Sequence, residues 1–122
     1  VEASGAHRPA LDPDVLDELE NLSGDSDLVN ELGELFLADA EIRVTALDDA
    51  LVRADGKSLS RAAHQLKGSA ANVGAAELAR LCSLLPAVGD PLDEYSIEPV
   101  LAAIRSELDR VRSAFGERAS LQ

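Results

Sequence analysis

The chain has 122 residues, a formal net charge of −12 and 46% hydrophobic residues, which suits one domain with a modest core. The acidic balance argues against nucleic acid and anionic membranes as partners, and no run approaches the ~20 apolar residues of a membrane span or carries a signal-peptide pattern. The single cysteine, Cys82, allows no internal disulfide and fits a reducing cytoplasm, the expected location.

Residues 1–10, "VEASGAHRPA", are small and polar without a period and read as a linker or disordered N-terminus, with His7 inside it. The folded domain is expected over 11–117, leaving 118–122 as a frayed C-terminus. "LDPDVLDELENL" reads as a short helix with Asp12 as N-cap and Pro13 at its first position. Its apolar set is Leu11, Val15, Leu16, Leu19 and Leu22. "SGDSDL" breaks it. A long helix follows over about 26–54, with Leu28, Leu32, Leu35 and Phe36, then Leu47, Ala50 and Leu51, as its apolar stripe. Asp55-Gly56 marks a turn.

A third helix is predicted over 58–73, capped by Ser58 or Asp55, with Gly74 where a left-handed C-cap glycine belongs. The fourth spans about 75–85, with Leu78, Leu81, Cys82 and Leu85 inward and Pro86 as its stop. "AVGDPLDEYSIEP" reads as a turn-rich connection. The last helix runs from about 97 to 115, where Ile97, Leu101, Ile104, Leu108, Val111 and Phe115 alternate spacings of four and three. The expected fold is all-α: an antiparallel four-helix bundle with a short additional N-terminal helix.

On the third helix, at ~100° per residue, Leu59, Ala62, Ala63, Leu66, Ala70 and Val73 share one face and His64 falls ~160° away from Leu66. The pattern therefore places His64 in solvent. Ser60, Arg61, Lys67, Gly68 and Ala71 share its face. Glycine in an exposed helix interior costs ~1 kcal/mol relative to alanine, so Gly68 makes sense where a partner must come close; Ala71 and Ala75 keep the same surface low. Residues 53–80 hold five basic and two acidic residues, a local +3 that leaves −15 on the rest of the chain. A basic neighbourhood in an acidic protein suits a group that carries phosphate.

"AAHQLKGSAANVGA", residues 62–75, resembles the signature of histidine phosphotransfer (HPt) domains of two-component phosphorelay signalling. His64, Leu66, Lys67, Gly68, Ser69, Gly74 and Ala75 stand in the motif's positions. "LDPDVLDEL", "ELFLADA" and "LARLCSLL" are also similar to the family, so the resemblance covers about residues 11–115. The Leu85-Pro86 pair departs from it, because many members continue that helix with an acidic residue. The resemblance implies that His64 accepts a phosphoryl group on a ring nitrogen and passes it on. An imidazole titrates near ~6.5 in general, so a neutral nucleophile is available near pH 7. Lys67, one turn on, would contact the phosphoryl oxygens, Gly68 would let the partner close down, and Gln65 and Ser69 flank the site.

Ser60, Arg61, Gln65, Gly68, Ala71 and Ala75 are thus the expected partner-binding residues. The implied partners are a response-regulator receiver domain and a sensor or hybrid histidine kinase. The receiver would supply Mg²⁺ and the acceptor aspartate. The chain is expected to be a monomeric phosphocarrier without its own cofactor or ATP site, since it has no P-loop or glycine-rich nucleotide loop. The linker-like start favours a domain of a longer hybrid kinase. A di-metal bundle needs Glu-x-x-His, and residue 61 is arginine; two histidines and one cysteine suit no zinc site. Cys82 reads as buried packing. The alternatives are the phosphoacceptor domain of a chemotaxis-type kinase and a helical adaptor that carries no phosphate.

Overall fold

The computed structural model describes residues 9–24 and 26–120. It contains α1 (Pro13–Ser23), α2 (Ser26–Val52), α3 (Gly56–Asn72), α4 (Ala76–Cys82) and α5 (Glu94–Ser120), and no strand among the described residues. Helices α2, α3, α4 and α5 pack in a closed ring, each on its neighbours, and α1 lies on α2. The four-helix arrangement with an additional N-terminal helix is as expected.

Local chemistry explains the helix ends. The Asp12 carboxylate accepts the Asp14 N–H at 2.9 Å, Pro13 opens α1, and Gly24 closes it at φ 70°. The Asp12 N–H also donates to the Gly74 carbonyl at 2.8 Å, which ties the start of α1 to the α3–α4 turn. The long helices run antiparallel. Arg105 pairs with Asp48 and Arg112 with Glu41, so seven residues forward on α5 match seven back on α2. Leu47, Leu59, Leu66, Leu78, Ile104 and Val111 are fully enclosed at the centre. Each buried side chain of this size stabilises by roughly 1.5–3 kcal/mol. Two acids are also buried, and each meets an arginine three residues on: Glu77 with Arg80 and Glu107 with Arg110, both at 2.8 Å.

The structure corrects the expected stripe of α2. In its first half the buried positions are Val29, Gly33, Phe36 and Ala40; Leu28 and Leu35 are exposed and Leu32 is half-buried. Leu22 of α1 is exposed as well. The reason lies on α5. A Cβ on Gly33 would stand 2.6 Å from Cδ1 of Phe115, so that ring presses on bare backbone and α2 turns to present residue 33. Gly33→Ala gains ~1 kcal/mol of helix propensity, but overpacking a buried ring costs ~1–3 kcal/mol. The expected net result is a loss of about 1 kcal/mol in denaturant unfolding. An unchanged or raised midpoint would show that Phe115 yields freely.

Boundaries shift for identifiable reasons. Between α2 and α3 the left-handed residue is Ala54 at φ 52°, and Gly56 is the first residue of α3 rather than part of the turn. Helix α4 ends at Cys82, before Pro86, as Leu84 and Leu85 N–H groups bond three residues back and tighten the last turn. Helix α5 starts at Glu94, inside the expected connection, because the Asp93 carboxylate accepts from the Tyr95 N–H and the Ser96 hydroxyl; Pro99 lies within the helix. At the other end α5 continues to Ser120, and Arg118 bonds Glu20 at 2.9 Å and Asp17 at 3.4 Å. Residues 118–120 are therefore helical rather than frayed. Ala10, placed in the linker, is buried. Pro9 is exposed, and linker residues 1–8, His7 among them, and residues 121–122 lie outside the described residues.

Candidate functional site

Helix α3 starts on Asp55, whose carboxylate accepts the Ser58 hydroxyl at 2.7 Å and the Ser58 N–H at 3.1 Å. These two bonds, the hydroxyl first, hold the Asp55 carboxyl below its ordinary value of 3.8. Leu59, Ala62, Ala63, Leu66 and Ala70 then form the buried face, as the spacing predicts. On the opposite face His64, Arg61, Gln65, Lys67, Gly68 and Ala71 are exposed and Ser60 is half-buried.

The helix ends in a Schellman turn. The Ala75 N–H bonds the Ala70 carbonyl at 2.8 Å, the Gly74 N–H bonds that of Ala71 at 3.1 Å, and Gly74 sits at φ 78°. That left-handed residue breaks the 3.6-residue phase. Ala75, expected on the partner surface with Ala71, therefore points into the core with 0% exposure.

Two hollows flank the His64 ridge. One, of about 230 Å³, is bounded by Ser60, His64 and Lys67 and, across from them, by Ser83, Pro86 and Ala87 of the α4–α5 connection. Cys82 also lines it. Burial pushes its thiol up to about 11 against the opposing pull of the Lys67 charge, so it remains a packed, protonated thiol. Sequence reasoning misses Ser83, Pro86 and Ala87. The Leu85-Pro86 departure is the available signal, and the connection meets α3 again further on. There Leu92 packs against Gly56, its Cδ2 3.7 Å from where a Cβ would stand.

The second hollow, of about 380 Å³, lies between α1, α2 and α3 and is lined by Leu19, Leu32, Leu35, Phe36, Ser69 and Asn72, among others. Leu35, 68% exposed, is thus a surface apolar group on the Ser69 side of the ridge. Gln65 is turned towards α2, where its Oε1 accepts from Arg43 at 2.9 Å; Arg43 also pairs with Asp39 at 3.3 Å. A Cβ on Gly68 would meet nothing within 4 Å, so the fold does not require glycine there. Of the basic stretch, Arg53 pairs with Asp55 and Arg80 with Glu77.

Among the described residues no helix is long and apolar enough to cross a membrane, and no group of three or more His, Cys, Asp or Glu is arranged to hold a metal ion.

The model of the Hpt domain family matches residues 31–114. Among solved structures, the chain is similar to the crystal structure of histidine-containing phosphotransfer protein B from Pseudomonas aeruginosa PAO1. The two share 29% identity and a TM-score of 0.74, over 92% of this chain and 96% of that one. Comparison with curated protein sequences gives no match.

Proposed function

The chain belongs to the Hpt domain family and is a histidine phosphotransfer domain of a phosphorelay, and we propose that His64 is the residue that carries the phosphoryl group. The observation that carries this reading is the position of His64, exposed opposite a complete core face, one turn from Lys67 and Gly68. It is also the one histidine among the described residues.

In the proposed reaction an unprotonated ring nitrogen of His64 attacks the phosphorus of a receiver's aspartyl phosphate. The N–P bond forms as the acyl P–O bond breaks, and the aspartate leaves as a carboxylate. The reverse step returns the group. Such transfer depends on positioning and charge neutralisation more than on covalent help. Lys67 supplies a cation to the phosphoryl oxygens, and the receiver supplies Mg²⁺ and the acceptor aspartate. Ser60, Gln65, Gly68 and Ala71 form the contact surface, with Arg61 at its edge and the apolar groove at Leu35 beside it. The domain acts in the cytoplasm as a carrier and draws no phosphate from ATP by itself.

The test is incubation of the protein with a phosphorylated receiver domain and Mg²⁺. Label that is acid-labile and base-stable is expected. No label from any receiver of the source organism would overturn the reading. Lys67→Ala is expected to slow transfer about tenfold while leaving the melting curve in place, because an exposed lysine contributes little to stability and its charge matters once phosphate is present. An unchanged transfer rate and phosphohistidine lifetime would reduce Lys67 to a solvating residue.

A further inference from the structure

Ten of the chain's eleven lysines and arginines lie in the described residues. Arg43, Arg53, Arg80, Arg105, Arg110, Arg112 and Arg118 each pair with a carboxylate. The three that have no ion pair there are Lys57, Arg61 and Lys67, and all three lie on α3, with Arg61 and Lys67 on its exposed face. In a chain with 23 acidic residues this is an unusual distribution. On α5 four arginines pair, with carboxylates of α1, α2 and α5 itself, whereas α3 has no carboxylate of its own and no other helix brings one to its three cations among the described residues.

The three unpaired cations divide by reach. Lys67 lies one turn from His64 and suits the phosphoryl group. Lys57 and Arg61 continue the same ridge in the other direction, at spacings of four and three before His64. At 1.5 Å per residue Lys57 stands about 10 Å along the axis from His64, too far to share a phosphoryl group centred on that ring. An anion for it would have to come from the partner. In the phosphotransfer reading, on which this inference rests, the partner is a receiver that holds Mg²⁺ beside its acceptor aspartate. Mg²⁺ is bound through carboxylates, so that partner presents an acidic rim around its reacting atom. The remainder of this chain, at −15, has the same sign as such a rim.

We infer that Lys57 and Arg61 form an electrostatic guide for the acidic rim of the receiver's active site, setting how fast and in which orientation it docks rather than how fast phosphate moves once docked. Exposed charges act this way across a Debye length of about 8–10 Å, raise association rates by 10-fold or more, and lose the effect in salt.

The experiment uses the whole chain and a receiver domain that labels the parent protein. Lys57→Gln/Arg61→Gln is expected to lower the second-order transfer rate about tenfold at ~20 mM ionic strength. The difference should shrink to less than about twofold at ~0.5 M salt, with the rate at saturating receiver within about twofold of the parent throughout. Ser106→Glu/Ser113→Glu makes the same change in net charge on exposed positions of α5, on the other side of the bundle, and is expected to transfer like the parent. Melting curves confirm that each variant folds. A double glutamine variant that keeps the parent's rate at every salt concentration overturns the guide. So does a loss that persists at ~0.5 M salt, which marks a short-range contact instead, or an equal loss in the α5 variant, which marks net charge alone. If no receiver labels the parent, the phosphotransfer reading itself fails, and the guide with it.

Discussion

His64→Gln is expected to abolish phosphorylation by any receiver, whereas His7→Gln is expected to leave it unchanged. Glutamine keeps the length and polarity of the side chain but has no ring nitrogen to form the N–P bond. The residue is exposed, and no core contact is lost, so stability should stay within about 0.5 kcal/mol of the parent. Loss of label therefore cannot be assigned to unfolding once the melting curves agree. Acid-labile label that survives in His64→Gln would move the phosphoacceptor elsewhere and overturn the proposed function.

Gly68→Gln is expected to separate stability from function. Its side chain enters open space, since a Cβ at residue 68 meets nothing within 4 Å. Glutamine is also a good helix former, and replacing a mid-helix glycine with it gains roughly 0.5–1 kcal/mol. For a domain of this size that is a rise of about 2–6 °C in Tm. Receiver affinity and transfer are expected to fall at least about tenfold, because a long side chain one turn from His64 obstructs close approach. Labelling by phosphoramidate, which needs no docking surface, should be less affected. Gly33→Ala runs the other way. It also places a side chain on a mid-helix glycine, yet it loses stability, because Phe115 already occupies the space. If Gly68→Gln binds and transfers like the parent, the docking surface lies elsewhere and the glycine is a structural accident.

Much of the candidate site is legible in the amino-acid order alone. The exposure of His64, Arg61, Lys67 and Gly68 follows from one helical period on one helix, and the caps at Asp12, Asp55 and Gly74 act within a turn of themselves. What is not legible depends on contacts between elements. Nothing near residue 33 in the chain announces that Phe115 will cover it, so Leu28 and Leu35 pass for core. Ala75 keeps a surface spacing that one left-handed residue cancels. The α4–α5 connection borders the His64 hollow through Ser83, Pro86 and Ala87, a contact between elements that no local spacing announces.

The same division separates what the sequence by itself determines from what only the tertiary structure decides. The helices, their order and the direction in which His64 points are set by interactions between residues three or four apart, which the chain carries wherever it is. Which of the remaining charges are neutralised is not. Arg105 meets Asp48 and Arg112 meets Glu41 across 57 and 71 residues, and Arg118 meets Glu20 across 98. Lys57, Arg61 and Lys67 lie in a stretch with no carboxylate between Asp55 and Glu77, so the sequence shows that α3 has no pair of its own to offer them, but not whether another helix supplies one. They stay unpaired because folding brings the helices' carboxylates to other corners of the bundle and leaves α3's outer face without one.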